Sequence, residues 1–175
     1  METMKTIAKR KSTRSFLSEK QIAKADLDVI LAAGSAAPVG MGDYASLHLT
    51  VIQNPALLDK LNKAVQTAFK IDRNVLYGAP TFVLVSSKEA KAPNIQYANV
   101  ACVMENMLLA ATDIGIDGVY IWSAAAAFAN NPDLRKEFGI PDGFAPISGA
   151  ALGYATQNNP AEKELKVTLA VNYIK

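Results

Sequence analysis

The spacing of apolar residues along the chain predicts a mixture of helices and strands. Helical spacing recurs in five segments, residues 3–10, 24–37, 55–68, 94–114 and 131–139. An alanine-rich stretch that Ser123 is placed to cap predicts one more helix. Alternating or unbroken apolar runs predict five strands, at residues 46–53, 81–86, 119–122, 146–153 and 164–173.

The order of these elements predicts an α+β fold. Strands and helices mix without a regular βαβ rhythm, which favours a mostly antiparallel central sheet flanked by helices. The unbroken apolar run in residues 81–86 predicts a strand that is buried on both faces. The helix over residues 94–114 is apolar on both sides, so it should lie inside a domain or between two subunits. A chain of 175 residues is expected to form one domain with a substantial core.

Composition and charge exclude several classes of protein. Half of the residues are apolar and 19% are charged, as in globular rather than disordered chains. The net charge of +2 is too small to indicate a nucleic-acid or membrane-surface partner. The longest apolar stretch, near residues 100–111, is broken by Glu105 and Asn106, so no membrane span is expected. The start of the chain lacks the apolar core of a signal peptide.

Cysteine usage and motifs narrow the chemistry further. The single cysteine, Cys102, forms no internal disulfide, fits a reducing cytoplasmic setting and is expected to be an inert core thiol. The only histidine, His48, is assigned no role. The chain has no G-x-G-x-x-G, no P-loop, no H-E-x-x-H and no Cys/His cluster, so neither a Rossmann nucleotide site nor a metal site is predicted.

The basic segment, defined as residues 9–16 (Lys-Arg-Lys-Ser-Thr-Arg-Ser-Phe), carries the clearest candidate chemistry. Side chains alternate along extended backbone, so Arg10, Ser12 and Arg14 would share one side, with Lys11 facing solvent on the other. Two guanidiniums and a hydroxyl that converge on one point suit a phosphate group. A solvated basic surface segment would have the same composition, so the residues alone leave both interpretations open.

A second candidate is the loop that follows the helix over residues 24–37. Residues 34–42 contain three glycines and a proline, which would let backbone approach a ligand closely. A plain connector of the same composition is the alternative.

Five motifs in chain order resemble the nitroreductase-like family of FMN-dependent oxidoreductases. They are Arg10-x-Ser12-x-Arg14-x-Phe16; Ala37-Pro38-Val39-Gly40-Met41-Gly42; Leu76-Tyr77-Gly78-Ala79-Pro80; Glu105-Asn106-Met107-Leu108-Leu109-Ala110-Ala111 with Gly115-Ile116-x-Gly118; and Phe138-Gly139-Ile140-Pro141 with Gly149-x-x-Leu152-Gly153-Tyr154. The family loop often reads Pro-Ser-x-x-Asn-x-Gln-Pro-Trp, so the usual amides are missing after Pro38 here. The chain is also short, like the compact members, without a large insertion to cover the substrate.

The resemblance implies a nitroreductase-like fold, one FMN-binding domain over residues 1–175 and an intertwined homodimer with FMN at its interface. It also implies roles for four sets of residues. Those expected at the phosphate and ribityl chain are Arg10, Ser12 and Arg14, with Lys163 or Lys166 as a C-terminal cation. Those expected near the flavin ring of the partner's site, mostly through backbone, are Pro38, Val39, Gly40, Met41 and Gly42. Those expected to line the flavin face near N5 are Tyr120, Ile121, Trp122 and Ser123. Asn74 matches a polar position just before the third motif.

The family's chemistry implies an enzyme that needs no catalytic side chain. FMN would take a hydride at N5 from NADH or NADPH and reduce a nitroaromatic, quinone or similar small conjugated acceptor by ping-pong exchange. Glu105 is expected to be a buried structural partner for an arginine or for backbone amides. Other possibilities remain: a specialised reaction such as reductive dehalogenation or flavin cleavage, a non-catalytic flavin-binding or regulatory protein, or a phosphoanion-binding module that uses Arg10 and Arg14.

Overall fold

Four antiparallel strands form the central sheet of the computed structural model, which describes residues 2–90, 92–157 and 162–175. Neighbouring strands pair in the order β1-β2-β4-β3, and all three pairings are antiparallel. The predicted α+β class with a mostly antiparallel sheet is therefore confirmed. The strands are β1 (Leu47–Ile52), β2 (Thr81–Lys88), β3 (Asp117–Ile121) and β4 (Phe144–Gly153).

Helices flank both faces of this sheet and begin and end close to the predicted residues. Side chains define two of the starts: Asn54 accepts hydrogen bonds from the N–H groups of Ala56 and Leu57, and Asn131 accepts one from Leu134. The helices are α1 (Thr3–Lys9), α2 (Lys24–Ser35), α3 (Pro55–Phe69), α4 (Ile95–Asp113) and α5 (Pro132–Glu137).

The sheet separates two apolar cores. One lies between the sheet and α3 with α5, and contains Phe82 and Leu84 from β2. The other lies between the sheet and α2 with α4, and contains Val83 and Val85 from the same strand. Because alternate residues of β2 enter opposite cores, the strand is buried on both faces, as its unbroken apolar run predicted.

Two predictions at the ends of elements are wrong. Ser123 does not cap an α-helix, because a 3₁₀ helix (Trp122–Phe128) begins directly where β3 ends and contains it. The predicted strand over residues 164–173 is absent, since residues 162–175 have no regular secondary structure. A strand requires a neighbour for its backbone N–H and C=O groups, and the described part of this chain offers that segment none.

None of the described helices combines the length and the apolar character that crossing a bilayer requires.

Candidate functional site

The basic segment lies across the start of β3, at the edge of the sheet. Ser12 forms an isolated parallel bridge with Gly118, and the Thr13 N–H donates to the Gly118 carbonyl at 3.1 Å. Further along, Phe16 is buried in the core beside α3 and forms an antiparallel bridge with Ala155. Backbone bonds at one end and a buried aromatic ring at the other therefore hold the segment in place.

Side chains of residues 11–14 alternate between an inner and an outer side, whereas Ser15 is exposed and Phe16 is buried. Thr13 is buried, with 7% of its surface exposed, whereas its neighbours Ser12 and Arg14 are both exposed. Lys11 lies on the side opposite Ser12 and Arg14, as expected, but its ammonium pairs with a carboxylate there instead of facing solvent freely, and 32% of its side chain is exposed. Its Nζ lies 3.8 Å from Asp117 Oδ1 on the inner side, because the carboxylate at the start of β3 draws the ammonium inward.

The two arginines of the segment differ in their partners. Arg10 Nε lies 3.4 Å from Glu105 Oε1 on α4, the arginine–carboxylate pairing expected for Glu105. Glu105 itself is exposed rather than buried, since it lies on the outer face of α4. Arg14 donates only a long bond of 3.5 Å to the Ser12 carbonyl and forms no ion pair with any described carboxylate. The guanidinium of Arg14 is thus available to an external anion.

The far end of β3 presents an aromatic side chain to solvent. Ile121 is buried in the core beside α3, and Tyr120 packs on the opposite face of the sheet against the other core. Trp122, the next residue, is 68% exposed. It lies four positions beyond Gly118, so roughly 13 Å of extended strand joins the basic segment to the indole.

The glycine loop, defined as residues 34–42, is fixed to the start of α4. The Gly40 N–H donates to Asn99 Oδ1 at 2.9 Å, and a Cβ at Gly40 would lie 2.3 Å from Ile95 Cδ1. A side chain at this position would require the end of the Ile95 side chain to move. Met41 follows with a positive φ of 57° and is 84% exposed. Pro38 is also exposed, and Val39 is half-buried.

One chain does not bring this loop to the basic segment. The loop leads into β1, at one edge of the sheet, whereas the basic segment lies along β3 at the other edge. Three strand spacings of about 4.8 Å separate the two edges by roughly 14 Å. The two sets of predicted cofactor contacts therefore lie on opposite sides of the described chain.

The remaining predicted residues fall into two groups. Asn74 accepts a hydrogen bond from the Leu76 N–H at 2.9 Å and lines a cleft with Gln21 and Asn62. The Lys163 N–H donates to the Ala8 carbonyl at 2.9 Å, which places Lys163 beside the end of α1, where Arg10 follows. Lys166 is exposed and pairs with Glu164 at 3.2 Å. Of the two lysines, only Lys163 has its backbone hydrogen-bonded to α1, the helix that leads into the basic segment.

Sequence reasoning missed two contacts that shape this region. Thr13 donates its hydroxyl hydrogen bond to Asp117 across 104 positions of sequence, and Phe69 at the end of α3 meets the Trp122 ring. Neither pair lies in one local pattern, so periodicity and spacing carry no signal for them. Only the fold brings their members together.

The amino-acid sequence matches a known protein family over most of its length. A sequence model of the nitroreductase family matches residues 7–154. The chain belongs to the nitroreductase family. That match contains the basic segment from Lys9 onward, the glycine loop and the whole sheet.

Solved nitroreductase structures have the same fold. An FMN-bound nitroreductase from Bacteroides fragilis NCTC 9343 is 29% identical, with a TM-score of 0.86 and full coverage of both chains (100% each). An FMN-bound nitroreductase from Desulfitobacterium hafniense DCB-2 is 22% identical, with a TM-score of 0.87 over 100% of this chain and 99% of that one. A putative NADH dehydrogenase/NAD(P)H nitroreductase from Bacteroides thetaiotaomicron VPI-5482 is 24% identical, with a TM-score of 0.79 and coverage of 99% and 97%. No curated protein sequence matches this nitroreductase family member.

Proposed function

We propose that this chain is an FMN-dependent oxidoreductase that uses NADH or NADPH to reduce a small conjugated acceptor such as a nitroaromatic or a quinone. Family membership supports the general chemistry, and the relative from B. fragilis, at 29% identity, was crystallised with FMN bound. The basic segment and the exposed end of β3 supply the chain's own support for the proposal.

The single observation that carries the proposal is the exposed pair of donors, Ser12 and Arg14, on the outer side of the basic segment. Ser12 and Arg14 are exposed side by side, and Arg14 has no ion pair with a described carboxylate. Arg10 engages Glu105 through Nε, and no described group pairs with its two terminal amino groups. Guanidinium and hydroxyl donors of this kind suit a phosphate monoester, so the donor set fits the phosphate end of FMN.

The far end of β3, at Trp122, fits the tricyclic ring of FMN. Trp122 offers an exposed apolar face at the end of β3, roughly 13 Å of strand from the residue that pairs with Ser12. An extended FMN has a comparable span between its phosphate and its tricyclic ring. Arg10, Ser12 and Arg14 would hold the phosphate, with Lys163 nearby, and the backbone of residues 121–123 would border the ring.

When bound, FMN would supply the redox chemistry, accepting a hydride from the nicotinamide and passing reducing equivalents to the second substrate in turn. The chain's residues would bind and orient it. Arg10 and Arg14 would anchor its phosphate end, and the strand end around Trp122 would orient its ring.

We further propose that the active unit is a homodimer. The loop containing Met41 lies at the sheet edge opposite the basic segment, so a second copy is needed to bring such a loop to the site. The outer face of α4 supports this arrangement, because a single chain leaves it partly uncovered. Its small and apolar residues there are Ala98, Ala101, Cys102 and Leu109.

The C-terminal segment provides independent support for the dimer. Apolar residues alternate over residues 165–173, a pattern that fits a strand, yet the described segment pairs with no strand. Val167 and Leu169 are 78% and 82% exposed. A second copy, whose β1 has no strand on its outer edge among the described residues, would offer both backbone partners and apolar cover.

A spectroscopic experiment tests the proposed activity. The purified full-length protein, incubated with FMN and desalted, should show flavin absorbance that bleaches on anaerobic addition of NADH or NADPH and returns when menadione is added. A flavin spectrum that does not bleach would favour a non-catalytic flavin-binding protein. Protein that binds inorganic phosphate but retains no flavin would favour a phosphoanion-binding module and contradict the proposal.

A further inference from the structure

The carboxylate of Asp117 contacts the inner side chains of the basic segment, Lys11 and Thr13. Asp117, the first residue of β3, accepts a hydrogen bond from the Thr13 hydroxyl at 2.9 Å through Oδ1. Its other oxygen, Oδ2, accepts from the Ala155 N–H at 3.2 Å. The Lys11 ammonium lies 3.8 Å from Oδ1. One side chain thus joins the basic segment, the start of β3 and the residues that follow β4.

These contacts fix which side chains face outward. Lys11 and Thr13 occupy the inner positions against Asp117, so the residues between and after them, Ser12 and Arg14, must face out. A slip of one residue would exchange the two sets and carry Arg14 inward. The backbone bridge between Ser12 and Gly118 and the side-chain bond from Thr13 to Asp117 together hold this orientation.

Removing this carboxylate would leave unpaired groups in a covered position. Thr13 is 7% exposed, so its hydroxyl has little access to water as an alternative partner. A buried donor that loses its acceptor incurs the full desolvation cost, which the segment can relieve only by changing its path. Any such change moves Ser12 and Arg14 relative to β3.

We propose that Asp117 is a positioning residue for the phosphate of the bound flavin, acting through Thr13 and Lys11 on Ser12 and Arg14. This inference rests on the proposed function. It also predicts a change in FMN affinity opposite to the one that charge repulsion alone predicts. A carboxylate near a phosphate repels it, so loss of its charge alone should tighten FMN binding. Positioning instead predicts that FMN binding weakens when the negative charge is removed.

Comparison of FMN with riboflavin separates this role from a general effect on folding. The two flavins share the ring and ribityl chain, and only FMN carries the phosphate. The dissociation constants of both are measured by flavin fluorescence titration of the full-length apoprotein and of its D117A, D117N and T13V variants. D28A serves as a matched control, since it removes one negative charge from the exposed surface of α2.

The wild-type protein should prefer FMN to riboflavin. D117A should weaken FMN on the order of tenfold, the effect of losing one charge-assisted bond, and change riboflavin less than about twofold. T13V should act in the same direction without removing a charge, and D117N should fall between D117A and wild type. D28A should bind both flavins as wild type does.

Three results would overturn the inference. Equal weakening of both flavins in D117A and T13V would show a structural role only. Unchanged or tighter FMN binding in both variants would show that Asp117 acts through its charge or not at all. A wild-type protein that binds neither flavin would overturn the proposed function as well, and so differs from the first two results. T13V keeps the test decisive if D117A does not fold.

Discussion

The rings of Phe69 and Trp122 meet edge to face, with centroids 6.0 Å apart and planes inclined at 82°. Phe69 is the last residue of α3, and Trp122 is the first residue after β3. Both rings remain accessible, 39% and 68% exposed. This edge-to-face contact fixes the indole at the end of the sheet edge, where the proposed flavin ring would lie.

Trp122 is the only tryptophan of the chain and so provides an intrinsic reporter of that position. FMN titrated into the apoprotein should quench most of the tryptophan emission, because an aromatic ring beside the indole accepts its excitation energy. Riboflavin should do the same at higher concentration, since it carries the same ring. If FMN is retained on ultrafiltration while the emission stays constant, the ring binds elsewhere.

Replacement of Arg14 by alanine should weaken FMN binding by roughly 1.5–3 kcal/mol, the loss expected for a charge-assisted hydrogen bond. Arg10→Ala should act on the same scale, although it also releases Glu105 from its pairing at 3.4 Å. Dissociation constants from equilibrium titration provide the measurement. Lys24→Ala, which removes an exposed cation on α2, is the matched control and should bind FMN normally. FMN retention equal to wild type in an Arg10→Ala/Arg14→Ala double variant would refute the assignment.

Local patterns predicted most of the fold because most elements are defined by nearby residues. Asn54 caps α3 within its own first turn, and the burial of β2 on both faces follows from its own unbroken apolar run. Ser18 and Gln21 have the spacing of a helix-capping pair, yet α2 begins only after Ala23. The Gln21 amide is engaged elsewhere, donating to the carbonyls of Gln53 and Pro80, and no local pattern reports such long-range bonds.

The sequence predicts which side chains of the site face outward as hydrogen-bond donors, but not the residues that hold them in place. The positions of Ser12 and Arg14 on the outer side follow from simple alternation in extended backbone. The inward turn of Lys11 depends on Asp117, a residue more than a hundred positions away, and could come only from the fold. The exposure of Glu105 likewise depends on which face of α4 packs on the sheet, which an all-apolar helix does not reveal.

Substitution of Gly40 by alanine should destabilise the protein by about 1 kcal/mol, the low end of the cost of overpacking, because the end of the Ile95 side chain can move aside. The added Cβ would lie 2.3 Å from Ile95 Cδ1, at the contact that fixes the glycine loop to α4. Chemical denaturation gives the free energy of unfolding. A second substitution, Ile95→Ala, opens space at the same point, so the Gly40→Ala/Ile95→Ala pair should lose less stability than the two single effects combined. Strict additivity would contradict the steric explanation.

Truncation of the chain after Lys163 tests the proposed dimer. Full-length protein should elute with about twice the 18.7 kDa mass of the chain, measured by light scattering. Removal of residues 164–175 deletes the exposed alternating apolar side chains, which in a dimer would be covered by the second copy. The truncated protein should therefore dissociate at concentrations where the full-length protein stays dimeric.

A milder variant protects this test against simple misfolding. Val167→Ser/Leu169→Ser keeps the chain length and changes two side chains that the described chain leaves 78% and 82% exposed. In an isolated monomer such changes should leave stability within about 0.5 kcal/mol of wild type, as exposed substitutions normally do. Within a dimer interface they should shift the monomer–dimer equilibrium towards monomer and lower FMN retention in parallel, because the loop around Met41 would then be missing from the site. A stable dimer with normal FMN retention in both variants would show that the tail lies outside the interface.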